Sequence, residues 1–375
     1  MRPINAKYRS SFPASSTNPV RITQTVRKTE QLGVFFMKVV TEWAEQGRIP
    51  DRAIRFLIRT LLKARLKKEG SLNFSDRLNA LFIFRDQLQQ EPVAHAVDSA
   101  NEQHYEVPAD LFEIFMGPHL KYSSGYWADG ATTLAESEKR MLEITCERAQ
   151  LQDGQQILEL GCGWGSLSMW MARKYPNSTI TAVSNSATQK AFIDAQQLPN
   201  LTVITADMNT FETDQKYDRV VSVEMFEHMR NWHQLLERIH CWLTKDGCLF
   251  IHIFVHRELA YLFDGQGGVN WMAEHFFKEG MMPAESLLPL CNQHLITEQI
   301  WRVNGTHYAK TLRAWLQKID KNRRAALAVL TRDLDIKEAH IQWRRWRIFF
   351  MACEELFGFN GGNEWYVAHY RLIKR

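Results

Sequence analysis

Apolar positions along this chain follow three successive patterns. From Leu32 to about Gln90 they recur at intervals of three and four, as at Phe56, Leu57, Leu61 and Leu66, which predicts amphipathic helices. Between Ile157 and Phe254 they gather into short runs at Gln156 to Leu160, Thr179 to Val183, Leu201 to Thr205, Arg219 to Val223 and Cys248 to Phe254, with helical stretches such as Ser166 to Tyr175 between them. The alternation predicts a parallel sheet assembled from strand, helix, strand units, an α/β doubly wound architecture. The last third returns to helical spacing in HIQWRRWRIFFMACEEL, where Trp343, Trp346 and Phe350 share a face. Such a stripe is more often a core seam than a ligand-pocket wall.

At 375 residues and 45% hydrophobic, the chain can bury a large core. Lysine and arginine number 46 against 42 acids, and the resulting +4 is too small for the field of a nucleic-acid-binding protein. Basic charge is concentrated locally instead. Residues 1–29 carry Arg2, Lys7, Arg9, Arg21, Arg27 and Lys28 with no acid, and read as a disordered tail in preference to a transit segment, because their apolar residues make no amphipathic helix. The helix around Arg52, Arg55, Arg59, Lys67 and Lys68 has two readings: a face packed on the main domain with solvated charges, or a weak contact with anionic lipid headgroups or an acidic partner. Six cysteines without a C-x-x-C pair suggest neither a zinc site nor a disulfide framework, and a reducing, cytoplasmic setting is the natural reading. No window approaches the roughly 20 apolar residues that span a bilayer.

Candidate chemistry begins at ELGCGWG. Gly161, Gly163 and Gly165 follow the first strand and precede a helix, so a ligand can lie against bare backbone at a helix amino terminus. The spacing is G-x-G-x-G, not the G-x-G-x-x-G of dinucleotide sites, and the second strand ends at Ser184 and Asn185 without an acid. A second constellation, E-x-x-E-H at Glu224, Glu227 and His228, follows the fourth strand. If that strand runs into a helical turn, the three side chains face one cavity. The order of residues is not that of a zinc protease. A solvated surface helix is the bland alternative.

An acid two residues before G-x-G-x-G, here Glu159, resembles the first motif of class I S-adenosylmethionine-dependent methyltransferases. HYEVP (104–108), LKYSSGYW (120–127), LELGCGWGSL (158–167), VSNSATQ (183–189), EMFEHM (224–229), FFKEGMMP (276–283), HYAKTLRAW (307–315) and ELFGFNGGNEWYVAHY (355–370) then occur in order. Together they are similar to the cyclopropane-fatty-acid synthase family, nearest its coclaurine N-methyltransferase branch. The resemblance implies a Rossmann-like methyltransferase domain over 101–375 with cap segments within 255–355, preceded by a helical extension at 31–100 and the tail at 1–30. It also implies S-adenosyl-L-methionine as cofactor, met by Tyr122 and Ser123 at the methionine carboxylate, by Gly161, Gly163 and Gly165 along the methionyl and ribose region, by Ser184 and Gln189 at the ribose, and by Asp207 and Met208 at the adenine. Tyr105, His252, Tyr308, Trp343, Trp346 and Phe350 would line the acceptor side.

Two chemistries share this family. Cyclopropane synthases resemble the chain around a bicarbonate cage, whose ligands would here include Glu227, His252 and Tyr308; Ser124 stands in place of the cage cysteine and Phe254 in place of a small aliphatic residue. Glu224 replaces the glycine usual in lipid-modifying members and gives the E-x-x-E-H of the N-methyltransferase branch. The expectation is therefore N-methylation of a small-molecule amine, with lipid methylation or cyclopropane synthesis as the alternative. An aliphatic amine of pKa near about 10 must lose a proton before its lone pair can attack. His228, neutral near pH 7, is the expected general base, with Glu224 and Glu227 attracting the ammonium.

Overall fold

The computed structural model describes residues 38–69, 73–95, 108–128, 130–263, 271–277 and 279–375. The basic tail and Tyr105 lie outside the described residues. Five strands, β1 (Gln156–Leu160), β2 (Thr179–Ser184), β3 (Leu201–Thr205), β4 (Tyr217–Val223) and β5 (Leu243–His256), pair in parallel. They are the five expected runs, with β4 and β5 extended at their ends. After a two-residue ribbon of β6 (Tyr261–Leu262) and β7 (Met281–Met282) come two strands that the apolar runs did not announce, β8 (Leu295–Val303) and β9 (Trp365–Lys374). β9 runs antiparallel between β5 and β8, giving the seven-stranded order β3-β2-β1-β4-β5-β9-β8.

β1 shows why the sheet holds together. Ile157 packs with Val221 and Phe250 in one apolar cluster, while Leu158 packs with Val220 and Leu249 in another, so successive residues feed opposite faces. The order reverses between β1 and β4, and the loops leaving their carboxyl ends diverge there. A reciprocal capping box of Thr133 and Glu136 starts the helix Leu134–Arg148 that leads into β1.

A helical cap covers the carboxyl ends of the strands. Its members are the helices Asp51–Glu69, Gly305–Lys321, Arg323–Leu330 and Ile336–Gly358, which share one aromatic-rich cluster with Ala109–Phe115. Asp51–Glu69 is tied to Ile336–Gly358 by ion pairs, with Arg55 2.6 Å from Glu354 and 2.8 Å from Glu355, Arg59 2.9 Å from Glu355, and Arg347 2.7 Å from Asp51. Arg55 and Arg59, both marked out in the sequence as basic, are thus paired within the protein. Trp343, Trp346 and Phe350 are buried inside the cap; Trp346 meets Phe112 edge to face at 5.8 Å, and Trp343 carries the guanidinium of Arg323 at 4.7 Å. Among the described residues no helix is long and apolar enough to cross a membrane.

Candidate active site

The loops that follow β1, β2, β3 and β4 open into one cavity of about 950 Å3, roofed by the cap helices. Gly161, Gly163 and Gly165 all have left-handed backbone, with φ of 78°, 52° and 77°. Their surroundings differ. A Cβ at Gly161 would stand 2.7 Å from the Met225 side chain and one at Gly165 2.7 Å from Ile193, whereas one at Gly163 would meet nothing within 4 Å. Gly163 is therefore bare backbone facing open space, the cradle that a nucleoside-bearing ligand needs.

Gly161 and Gly163 line the cavity whereas Gly165, against Ile193, does not; the remaining residues assigned to the cofactor by resemblance, Tyr122, Ser123, Ser184, Gln189, Asp207 and Met208, all line it. Ser184 donates to Gln189 Oε1 at 2.7 Å and accepts from the Ser186 amide at 3.0 Å, which fixes the turn after β2. Asp207 Oδ1 accepts from the Asn209 amide at 2.8 Å, and Asn209 in turn clasps both backbone groups of Ala94. Tyr122 stacks on Trp315 at 5.5 Å. Glu159 is buried below the glycines, bonded to the Ser168 hydroxyl, and burial pushes it up to about 8.

Glu224, Glu227 and His228 also reach this cavity, by a route other than a continuous helical turn. Glu224 itself takes a left-handed φ of 51°, and Phe226–His228 form a short 3-10 turn. A non-glycine residue held there is strained by on the order of 1–3 kcal/mol, a cost borne elsewhere in the fold. Tyr308 donates to Glu224 Oε2 at 2.9 Å, and His252 Nε2 lies 3.4 Å from Oε1. Burial raises Glu224 to about 7 against the opposing pull of the Tyr308 hydroxyl and Lys121. Burial, with the charge of Glu224, holds Glu227 well above the usual carboxylate range, and its Oε2 has no hydrogen-bond partner among the described residues. His228 stacks on Phe277 at 5.9 Å and is lowered to about 4, by burial first and then by Arg230.

Three corrections to the sequence expectations follow. His252 is fully buried behind Glu224 and does not line the cavity. Trp343, Trp346 and Phe350 are absent from its wall; the helix presents Ile348, Phe349, Ala352, Cys353 and Leu356 instead, the adjoining face. His228 is neutral but a weak base, because its site destabilises the imidazolium. Lys121 is a cavity residue that no motif singled out: buried beside Ser123, it is lowered to about 8 by desolvation, while Glu224, Glu138 and Glu159 support its charge. Its position between Leu120 and Tyr122 in a recognised motif was the available signal.

A family model described as mycolic acid cyclopropane synthetase matches residues 94–364. The chain belongs to this family. Among relatives of this cyclopropane synthetase family member, (S)-coclaurine N-methyltransferase of Thalictrum flavum subsp. glaucum is 36% identical over 339 residues, covering 88% of this chain and 94% of that protein. The cyclopropane-fatty-acyl-phospholipid synthase of Escherichia coli strain K12 is 26% identical over 260 residues, covering 69% and 65%. The crystal structure of coclaurine N-methyltransferase bound to N-methylheliamine and SAH superposes with a TM-score of 0.86 at 33% identity, covering 90% of this chain and 99% of that one. The protein is an S-adenosylmethionine-dependent methyltransferase with the fold expected from its sequence.

Proposed function

We propose that the enzyme methylates the nitrogen of a bulky, partly aromatic amine. One observation carries this reading over lipid chemistry. The Tyr308 hydroxyl and His252 imidazole, which resemblance assigned to a bicarbonate cage, converge on the Glu224 carboxylate at 2.9 and 3.4 Å. A carboxylate fixed to the chain would take the role of the free anion, and Ser124, bonded to its neighbour's carbonyl at 2.9 Å, offers no cage thiol. The wall beside it is built from Phe254, Phe277, Phe349 and Phe357, which suits an aromatic acceptor and a cationic product.

S-adenosylmethionine, when bound, would supply a methyl group on a sulfonium; the amine lone pair would form the new bond to that carbon in line as the carbon–sulfur bond breaks and the neutral thioether leaves. Tyr122, Ser123, Ser184, Gln189, Asp207 and Met208 around the Gly163 cradle form a mixed polar and apolar lining that would hold it. Glu224 attracts the ammonium form of the acceptor, while Glu227, held toward its neutral form, offers the unfilled Oε2 to one N–H. Glu224, at about 7, is a far better proton acceptor for that ammonium than His228 at about 4. His228 stays neutral and positions the amine. Incubating the enzyme with methyl-labelled S-adenosylmethionine and, in parallel, aromatic heterocyclic amines, simple alkylamines and phospholipid vesicles tests the reading. Label is expected in the heterocyclic amines, and a cyclopropane in the lipid extract would overturn it.

A further inference from the structure

Behind Glu224 runs a line of polar groups that the methyl transfer does not directly use. His252 on β5 and His369 on β9 are directly opposite each other across the antiparallel pair, both fully buried. Their rings meet with His252 Nδ1 2.9 Å from His369 Nε2. On the far side, Arg148 NH1 lies 2.8 Å from His369 Nδ1. Arg148 ends the helix Leu134–Arg148 and rests its guanidinium over Trp301 at 5.2 Å, and Trp301 is itself the β8 partner of His369.

The tautomers of both histidines follow from one fact: a guanidinium donates hydrogen bonds and cannot accept them. His369 Nδ1 must therefore carry the lone pair, so a neutral His369 holds its proton on Nε2. That proton is donated to His252 Nδ1, which must in turn be unprotonated. His252 is left with its proton on Nε2, 3.4 Å from Glu224 Oε1. The reverse order would need a proton on Nδ1 of His369 pointing into Arg148, or a His369 with no ring proton at all.

We propose that Arg148 and His369 are positioning residues that lock His252 in its Nε2–H tautomer, so that a permanent donor faces the Glu224 carboxylate. With the Tyr308 hydroxyl bonded to the other oxygen, Glu224 then has one hydrogen bond at Oε2 and an N–H 3.4 Å from Oε1 that completes no hydrogen bond, a polarity that still favours its anionic form over the buried acid. Without the arginine the pair could reverse, and His252 would turn a lone pair toward the carboxylate. Desolvation, with Arg148 and Lys121, keeps His369 neutral; the same influences, together with His369, keep His252 neutral. Lys121, Glu227, Tyr308, His252 and Cys353 are the other titratable groups facing Glu224. The benefit to catalysis rests on the amine reading above; the tautomers do not.

Nitrogen-15 spectra of the imidazoles and carbon-13 titration of the Glu224 carboxyl, assigned by comparison with Glu224→Gln and single histidine variants, test this in the full-length enzyme without any methyl acceptor. Both His252 and His369 are expected as Nε2–H tautomers in the wild type. Arg148→Met should mix the His369 tautomers and raise the Glu224 midpoint by about half to one pH unit. His369→Gln can accept from Arg148 and donate to His252, and should keep the wild-type midpoint, whereas His369→Leu should raise it. A wild-type His252 protonated on Nδ1, an unmoved Glu224 midpoint in Arg148→Met, or equal midpoints in the Gln and Leu variants would overturn the proposal. A mistaken acceptor class would show separately, as absent turnover with these spectra intact.

Discussion

Replacing Glu224 by glutamine keeps the side-chain shape and removes the charge, which separates proton removal from binding. Moving a proton from an alkylammonium of pKa near 10 to Glu224, at about 7, is uphill by roughly 4 kcal/mol. Moving it to His228, at about 4, is uphill by roughly 8 kcal/mol. The difference amounts to about 10³ in rate if proton transfer precedes or accompanies attack. Glu224→Gln should therefore lower kcat by on the order of 10³-fold, while His228→Ala should stay within about tenfold of wild type. Wild-type kcat should rise with pH through about 7 as the carboxylate ionises, and this limb should be missing in Glu224→Gln. The assay is labelled methyl transfer to one amine of known pKa from pH 5 to 9, at saturating cofactor. If His228→Ala lost 10³-fold and Glu224→Gln kept both the rate and the limb, the histidine would be the base and the comparison of proton affinities would be wrong.

Three further expectations follow from the same geometry. Gly163→Val should abolish calorimetric binding of S-adenosylmethionine and leave unfolding cooperative with some loss of stability from its left-handed backbone, whereas Gly165→Val, equally strained and also driven into Ile193, should lower the melting temperature further; normal cofactor affinity in the first variant would remove Gly163 from the site. Glu224 titrates near 4.5 when exposed and near 7 when folded, so its contribution favours the fold below about 4.5 and is lost as pH rises to 7; relative to wild type, ligand-free Glu224→Gln should gain up to about 3 kcal/mol by pH 8, and a constant difference from pH 5 to 8 would refute the raised value. Sedimentation with anionic vesicles should be weak and abolished by salt, and extracted phospholipids should gain no methylene; tight, salt-resistant binding would restore the lipid reading of the basic helix.

β1, β2 and β5 were legible because strands buried on both faces appear as apolar runs, whereas β3, at the sheet edge with only Val203 buried, was legible from its β-branched residues. β8, LITEQIWRV, lies at the sheet edge with Thr297, Glu298, Gln299 and Ile300 partly or fully exposed, and gives no such run. β9 mixes His369 and Arg371 among its apolar residues because these side chains have partners on other elements. Spacing also grouped Trp343, Trp346 and Phe350 on one helical face correctly, yet periodicity says which residues face together and not what they face. The glycine loop and E-x-x-E-H were readable as local words. The left-handed turn at Glu224 was not, and neither was the contact between His252 and His369, which depends on the register of two strands 117 residues apart.

The position of β9 bears on how this enzyme is made. Among the described residues β8 pairs with β9 alone, and β9 sits between it and β5. During synthesis the ribosome releases β8 first, then the long aromatic helix, and only afterwards the strand that joins β8 to the sheet. At about 5–20 residues per second, that leaves an unpaired edge strand and an unroofed aromatic face waiting for several seconds. The nascent chain is thus exposed to aggregation until β9 emerges, and a chaperone that holds residues 295–360 would protect it in that interval. His369 arrives on the same late strand, so the histidine pair behind Glu224 can form only once the sheet has closed.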